Sequence, residues 1–407
     1  MANSLLTIDM ITNESLVVLE NELTFTKQVN REYDDYFAKS GAKIGDTLNI
    51  RKPVRYVTRT GPALQVQNSQ ESFVPVTLTQ KGCDISFSTK DMTLSIDEFS
   101  ERFIVPQLAT VANSIDYDGL SLYKDVYNVV GTPGTTPAGL LPYLNGGVKL
   151  NNGAAPKDGM RAAIINPQAE ATLVNSLTNV FNPTSEISSQ YINGNMGRAA
   201  GFKFSMDQNV RTHTAGTVSG SVTVGVTSVS GATSIVLTGF TPTTDSLKDG
   251  DVFYIAGIYG VNPQSRDSTG QLQQFVVTAD TAVADGSGNI TANISPAIVY
   301  TGNAATQQYQ TVTGLPTATS AVTFVFSSGQ VSPQNMVFHR DAFTMCNADL
   351  LMPGGVDMAA RKRSKSLNVS MRAVRAYDIN NDRLPMRIDV LYGWATLRPE
   401  LAARVAG

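Results

Sequence analysis

Hydrophobic and polar positions change their period several times along this 407-residue chain. In residues 13–37, "NESLVVLENELTFTKQVNREYDDYF", the apolar side chains Leu16, Leu19, Leu23, Val29, Tyr33 and Phe37 recur on one side at helical spacing. That pattern predicts an amphipathic helix capped by Thr12 or Asn13. From residue 41 the period shortens to two. "DTLNIRKPVRYVTRTGP" puts Arg51, Arg55 and Arg59 on one face and Ile50, Val54 and Tyr56 on the other. "SFVPVTLTQKGCDISFSTKD" resumes strand character after the polar turn "QNSQES", so a long hairpin is expected. Pro53, Pro62 and Pro75 place it at an edge or in a projection, because proline cannot donate to a central ladder.

Residues 95–131 return to the helical period. Phe99, Phe103, Leu108, Val111, Ile115 and Leu122 form the apolar stripe, Ser95 and Glu98 match a capping box, and Pro106 is expected to kink or break the helix. "GTPGTTPAG" closes this segment as a loop. Further on, "MRAAIINP" reads as a short buried strand, "QAEATLVNSLTN" as a helix and "GRAAGFKFSMDQNV" as a loop entering a strand. The same style resumes at "NMVFHRDAFTMC", and residues 366–397 form a last hairpin around "INNDR".

Between these mixed segments lies a block of another kind. Residues 214–331 hold eight charged residues in 118 positions and no glutamate. The strand-like runs "SIVLTGF", "DVFYIAGI", "QQFVVTA", "NITANIS" and "AVTFVFSSG" recur there, separated by turn signals such as Asp249-Gly250 and "DGSGN". This predicts an all-β module with its own core, a small barrel or sandwich inserted into a mixed domain that continues afterwards. Both parities of "VFYIAGI" are apolar, which suits a strand covered on two faces.

Composition and chemistry narrow the function. Net charge is −3, too acidic for a chain whose main task is gripping nucleic acid. Charged residues are 16% of the chain, against roughly 25% in ordinary domains, as suits a surface largely covered by neighbours. Cys83 and Cys346 stand alone and read as small buried hydrophobes in a reducing compartment. The N-terminus lacks a basic signal region, and no apolar run approaches the roughly 18 residues of a membrane span. His213 and His339 bracket the inserted block, an arrangement that could bring them together as a metal or acid–base pair. No carboxylate or cysteine ligand pattern accompanies them, and they read as polar positions near a domain junction. "DGSGN" lacks the later acidic ligands of a calcium loop and reads as a turn. The basic cluster Arg51, Lys52, Arg55 and Arg59 suits either an acidic partner or a charged strand edge, and "RKRSK" at 361–365 reads as a solvated loop. No catalytic, cofactor-binding or metal-binding residue is assigned, and no enzyme is expected.

Several of these segments, in order, resemble the major coat proteins of P22-like tailed bacteriophages. "ATVANSIDYDGL" (109–120) resembles the family's spine helix. "INPQ" (165–168) with "GRAAGFKFSMDQNV" (197–210) resembles its axial domain. "LKDGDVFYIAGI" (247–258) resembles the central strand of its inserted barrel. "NMVFHRDAFTM" (335–345) and "IDVLYGWATLRPELA" (388–402) resemble the return to the axial domain and the last strand and tail.

The resemblance implies an α+β, Hong Kong 97-type phage capsid fold with an inserted all-β barrel. It would divide the chain into an N-terminal arm (1–40), extended loop and peripheral strands (41–95), spine helix (96–131), axial and peripheral parts (132–213 and 332–407) and the barrel (214–331). It implies a structural capsid subunit that self-assembles as hexamers and pentamers into an icosahedral shell around double-stranded DNA. A scaffolding protein and a portal would be partners, DNA contact would be weak and non-specific, and no membrane is involved. The location would be the virion capsid, assembled in the host bacterial cytoplasm. One departure stands out. The acid-rich barrel loop common in the family is replaced by the uncharged "TSVSGATS" (227–234), so "NPQSRDSTGQ" (262–271), or shape and apolar contacts, would have to serve instead. Two alternatives share some of these features: a β-rich adhesin, decoration or glycan-binding protein, and a bacterial nanocompartment shell protein.

Overall fold

Backbone pairing follows the alternation of apolar residues through most of the chain. The computed structural model describes residues 12, 15–19, 22–34, 47–58, 61–64, 66, 71–88, 105–176, 196–301, 308–364 and 367–407. These form two units: Met1–Ile50 with Phe73–Leu120 and Phe343–Ala395, and Arg51–Ser72 with Ser121–Ala342 and Thr396–Gly407.

In the first unit, β1 (Asn30–Asp34), β17 (Phe343–Ala348), β20 (Arg383–Thr396), β19 (Ser370–Arg375) and β18 (Met358–Arg363) lie side by side in that order, with β4 (Thr79–Ser88) also along β20. β19 and β20 are antiparallel neighbours, the hairpin expected at 366–397. β2 (Thr47–Arg51) and β3 (Phe73–Thr77) make a separate two-stranded ribbon, with Pro75 inside β3 where no second neighbour needs its N–H. Helix α1 (Val105–Leu120) buries Leu108, Val111 and Ile115. Gly119 is required by packing, since a Cβ there would stand 2.7 Å from Trp394 and 2.8 Å from Phe25.

Two helical expectations need correction here. The helix predicted over 13–37 is helical at 15–19, but Asn30–Asp34 is strand β1, parallel to β17. The reason is Asp116 on α1. Its carboxylate accepts hydrogen bonds from the backbone N–H groups of Thr24 (2.6 Å), Phe25 (3.0 Å) and Thr26 (3.1 Å), and from the Thr26 hydroxyl (2.7 Å). Donors that a continuing helix would spend on its own carbonyls are captured, and the chain turns out of the helix. The spine helix expected over 96–131 is α1 as far as Leu120. A 3-10 turn follows at Ser121–Asp125, and Val129–Gly131 is strand β5. β-Branched Val126, Val129 and Val130 favour that ending, and β5 finds a parallel partner in β21 (Ala402–Ala406). Pro106 lies inside α1. Ser95, Glu98, Phe99 and Phe103 lie outside the described residues.

The second unit is built on a sheet of β5, β21, β16 (Val331–His339), β6 (Arg161–Ile165), β8 (Phe202–Met206) and β7 (Arg198–Ala199), in that order, with β9 (Thr212–Thr214) on the outer part of β16. Every residue of β6 and β21 is buried, as for strands covered on both faces. Helix α3 (Pro167–Ser176) is the expected one, with Ala169 and Leu173 buried. Helix α2 (Leu141–Asn152), packed on β21, β16 and β5, had no counterpart in the periodicity. Its "LNGGVKL" carries two glycines, which are poor helix formers. The glycines serve close approach instead: a Cβ on Gly146 would sit 2.6 Å from Val337 Cγ2 on β16.

The chain leaves this sheet after β9 and re-enters it at β16. Between them β10 (Thr223–Val224), β11 (Ala232–Thr238), β14 (Asn289–Ile298), β13 (Ser268–Val277), β12 (Val252–Val261) and β15 (Val322–Phe324) form one sheet in that order. It closes on itself. Val322 N–H donates to Val222 O (3.0 Å), and Val224 N–H donates to Ser320 O (2.9 Å). Inside are Leu237, Phe253, Ile255, Phe275 and Ile290. The two-sided strand is a local truth. Phe253 and Ile255 enter the barrel core, while Val252 joins a separate cluster with Val276, Phe326, Val129 and Ala406. Beyond Tyr254 the register shifts, Gly257 adopts φ +80°, and the strand bends away.

Candidate functional site: the anchorage of the barrel

The two strands that carry the chain into and out of the barrel are zipped together. β9 and β16 pair antiparallel, with Thr214 opposite Val331 and His213 opposite Ser332. His213 is buried beneath this pair. Its Nε2 lies 2.9 Å from Asp251 Oδ1, and its Nδ1 lies 3.3 Å from the hydroxyl of Tyr123. Asp251 ends the turn that launches β12, and its other oxygen accepts from Gly216 N–H (3.0 Å) and Lys248 N–H (2.7 Å). The Asp249-Gly250 turn needs φ +99° at Gly250, and a Cβ there would stand 3.2 Å from the His213 ring. Asp249 itself meets Lys124 Nζ at 3.0 Å.

Around this lock the barrel borrows the parent sheet's edge. The Gln274 side-chain amide on β13 bonds both backbone groups of Val129 on β5, each at 3.0 Å, as a neighbouring strand would. Arg404 on β21 is fully buried, its guanidinium 5.6 Å from the Tyr123 ring centroid and 5.8 Å from that of Phe326. Arg404 Nε donates to Val126 O (2.8 Å), while Nη1 and Nη2 are buried without acceptors among the described residues. Burial pushes its pKa down to about 10, against the pull of Tyr123 and the aspartates 251, 125 and 249. These contacts tie the module to its base. The Tyr123–His213–Asp251 chain is buried inside this anchorage, and no cluster of three or more metal-ligating side chains occurs among the described residues.

The other candidate residues fall elsewhere. His339 is not beside His213: it stands seven residues further along β16 than Ser332, about 23 Å at the strand rise. Its Nε2 faces the Asp158 carboxylate at 3.1 Å. Cys346 is buried in β17 and Cys83 half-buried in β4, both as free thiols. Asp285 of "DGSGN" spends its carboxylate on Ser287 and Asn289 N–H groups, as a turn residue does. "RKRSK" is not a loop over its described part. Arg361–Arg363 belong to edge strand β18, and Arg361 reaches Leu350 O (3.0 Å) and Asp349 (3.2 Å). In the first basic cluster the strand ends at Arg51. Arg55 lies beyond it and bonds Glu400 at 2.7 Å, and Arg59 lies outside the described residues. Sequence reasoning missed Arg404, although a lone arginine in the apolar "LAARVAG" was the available signal.

Residues 150–406, which carry the whole barrel, both strands of its anchorage and Arg404, match the model of the P22 coat protein (gene protein 5) family. The chain belongs to that family. It is the major capsid subunit of a tailed bacteriophage, with the Hong Kong 97-type fold and its inserted barrel, and its copies assemble into the virion shell. No curated protein sequence matches the chain. Among solved structures, a chain of Mycobacterium phage Che8 is similar over 94% of this chain and 90% of its own, at 13% identity and TM-score 0.46. The capsid of cyanophage P-SCSP1u is similar over 94% and 87%, at 10% identity and TM-score 0.47. The CUS-3 coat protein I-domain matches 26% of this chain over 96% of its own length, at 27% identity and TM-score 0.20. The assignment rests on the family match. No helix among the described residues is long and apolar enough to cross a membrane.

Proposed function

We propose that this coat subunit works by geometry alone, closing as hexamers and pentamers into an icosahedral shell around double-stranded DNA, without catalysis. The observation that carries this reading is the family match across the barrel and its anchorage. Many modest contacts between identical copies add through multivalency, so no single bond needs to be strong. Residues 1–40 act as an arm and 41–95 as a loop clasping neighbours. The region 96–131 is the spine, 132–213 and 332–407 form the axial and peripheral parts of the tile, and the insert 214–331 stabilises the subunit's own fold. A scaffolding protein and a portal take part in assembly, which proceeds in the bacterial cytoplasm, and DNA is touched weakly. Electron microscopy of the purified protein, alone and with a scaffolding protein, tests this. Shells, sheets or tubes are expected, and persistent monomers under all conditions would sink it.

A further inference from the structure

Half of the first basic cluster ends in one concavity of the second unit. Lys52 and Arg55 line a cleft of about 560 Å³ with Arg266, Arg398, Glu400 and Tyr309, within the range of ligand sites. Glu400 is the one carboxylate among the residues lining it, and it is already shared: Oε1 accepts from Arg55 Nη2 at 2.7 Å and from Arg398 Nε at 3.2 Å. Among the described residues neither Lys52 nor Arg266 has an ion-pair partner. The cleft therefore carries an excess of three positive charges in a chain whose net charge is −3.

Arg266 is held there at some cost. Its φ of +66° is left-handed. A tight turn imposes it: Asn262 Oδ1 accepts from the N–H groups of Gln264 and Ser265, and Asn262 O accepts from Arg266 N–H. Arg266 Nε and Nη1 are buried without acceptors among the described residues. Burial, and then the positive charge of Arg55, both disfavour its protonated form. Like charges gathered without counter-charge destabilise the isolated subunit, and an anionic partner would relieve them.

We propose that the cleft receives an acidic loop of a second copy of this chain, the tip of the β19–β20 hairpin at Tyr377–Asp382. This rests on the assembly of copies into a shell. The tip carries Asp378 and Asp382 around Ile379, which is 80% exposed. Hydrogen bonds from Asn381 and Asn380 hold the Asp378 carboxyl below its ordinary range, so its charge persists in acid. In the cleft, Tyr309 and Leu397 give an apolar wall for Ile379 beside the cations. Nucleic acid fits less well. Glu400 stands inside the site, and the cations gather at one concavity and not along a stripe that would track phosphates.

Charge exchange tests this with the full chain. The cleft variant K52E/R266E and the tip variant D378N/I379K/D382N are each expected to raise the concentration needed for assembly by about tenfold or more, with monomer circular dichroism and Tm preserved. Each asparagine keeps one turn acceptor, Asn380 N–H to position 378 and the Tyr377 hydroxyl to position 382, and Ile379 has little packing to lose. Combining the two variants is expected to restore assembly. The neutral variant K52Q/R266Q, which keeps the test open if the glutamates disturb folding, should weaken assembly less and raise monomer Tm slightly. Failure of the combined variant to improve on either parent overturns the proposal, as does unchanged assembly of all variants. So does a K52Q/R266Q protein that assembles normally but loses affinity for a duplex oligonucleotide bound by the wild type, which would make the cleft a nucleic-acid site. Wild-type assembly under the same conditions scores the shell reading separately, so the two failures are told apart.

Discussion

The barrel and the β1–β17–β20–β19–β18 sheet face the same problem, an exposed strand edge, and handle it in opposite ways. The barrel joins its first and last strands through backbone hydrogen bonds. Its buried carboxylates, Asp245 and Asp251, lie in turns, where backbone N–H groups, Ser219 and His213 satisfy them. The open sheet ends in β18, whose Arg361, Lys362 and Arg363 discourage further pairing. It also takes charge inside. Asp389 on β20 is 1% exposed and lies between Arg372 (2.7 Å) and Arg387 (2.9 Å). One region is held by an apolar core, the other partly by ion pairs. Substitutions should therefore hurt the two in different ways.

The largest effect is expected at Ile255, fully buried in the barrel core. Ile255→Asp forfeits about 1.5–3 kcal/mol of apolar burial and strands a carboxylate with no partner, a further cost of several kcal/mol. The barrel should unfold, and soluble monomer yield should fall before any shell geometry changes. Normal folding with only altered particle size would show that β12 is an assembly contact and not core.

This contrast also explains what was legible in the sequence. Closed and apolar, the barrel announces itself: five strand runs and their turns can be read directly, because each strand's alternation records which side faces the core. The open unit hides its logic in distant partners. Nothing near Leu23 signals that Asp116 will capture the next three N–H groups and end the helix. Nothing in "LNGG" signals Val337 beneath it. The anchorage was half legible. Asp249-Gly250 is a visible turn, but His213, the buried partner of Asp251, and Arg404, packed on the Tyr123 ring, lie on strands 38 and 153 residues away from Asp251 in sequence.

Asp389 should give the next largest effect. Asp389→Ala leaves Arg372 nearly buried without its carboxylate, at a cost of about 3 kcal/mol, the low end for a broken buried pair because Arg387 is half-exposed. The penalty should depend on pH. Burial alone would raise the Asp389 pKa, but hydrogen bonds from Arg387, Arg372 and Gln80 outweigh it and hold the pKa below its ordinary value. A depressed carboxylate stabilises the fold above its unfolded pKa of about 3.9 and loses that contribution as pH falls through the folded value. Urea melts of wild type and variant should therefore converge below pH 4. A gap that stays constant from pH 7 to pH 3 would show that Asp389 packs but does not act as an ion.

Gly146→Ala is expected to be milder. Alanine favours a helix by up to about 1 kcal/mol over glycine, but its Cβ would press on Val337, which is fully buried in β16. Overpacking of that kind costs about 1–3 kcal/mol, so a net loss of about 1 kcal/mol is expected in thermal melts. A stabilised variant would mean that α2 rides further from the sheet than this contact implies.

The smallest effect is expected at the most deeply buried charge. In Arg404→Met the variant gives up the bond to Val126 O, worth about 1–3 kcal/mol as an orphaned buried acceptor, and cation–π contact with Tyr123 and Phe326, worth up to about 2 kcal/mol. Against this, it relieves a guanidinium whose pKa burial pushes down to about 10, a burden of about 3 kcal/mol at neutral pH. The terms nearly cancel, and stability should change by less than about 1.5 kcal/mol. Their pH dependence does not cancel. A base with a depressed folded pKa burdens the fold at every pH below about 10 and is relieved only as pH rises towards 12.5. Wild type should thus gain on the methionine variant between pH 10 and 12.5. A loss above about 3 kcal/mol at pH 7 would instead make Arg404 a net clamp between the parent sheet and the barrel, acting beside the Lys124–Asp249 pair.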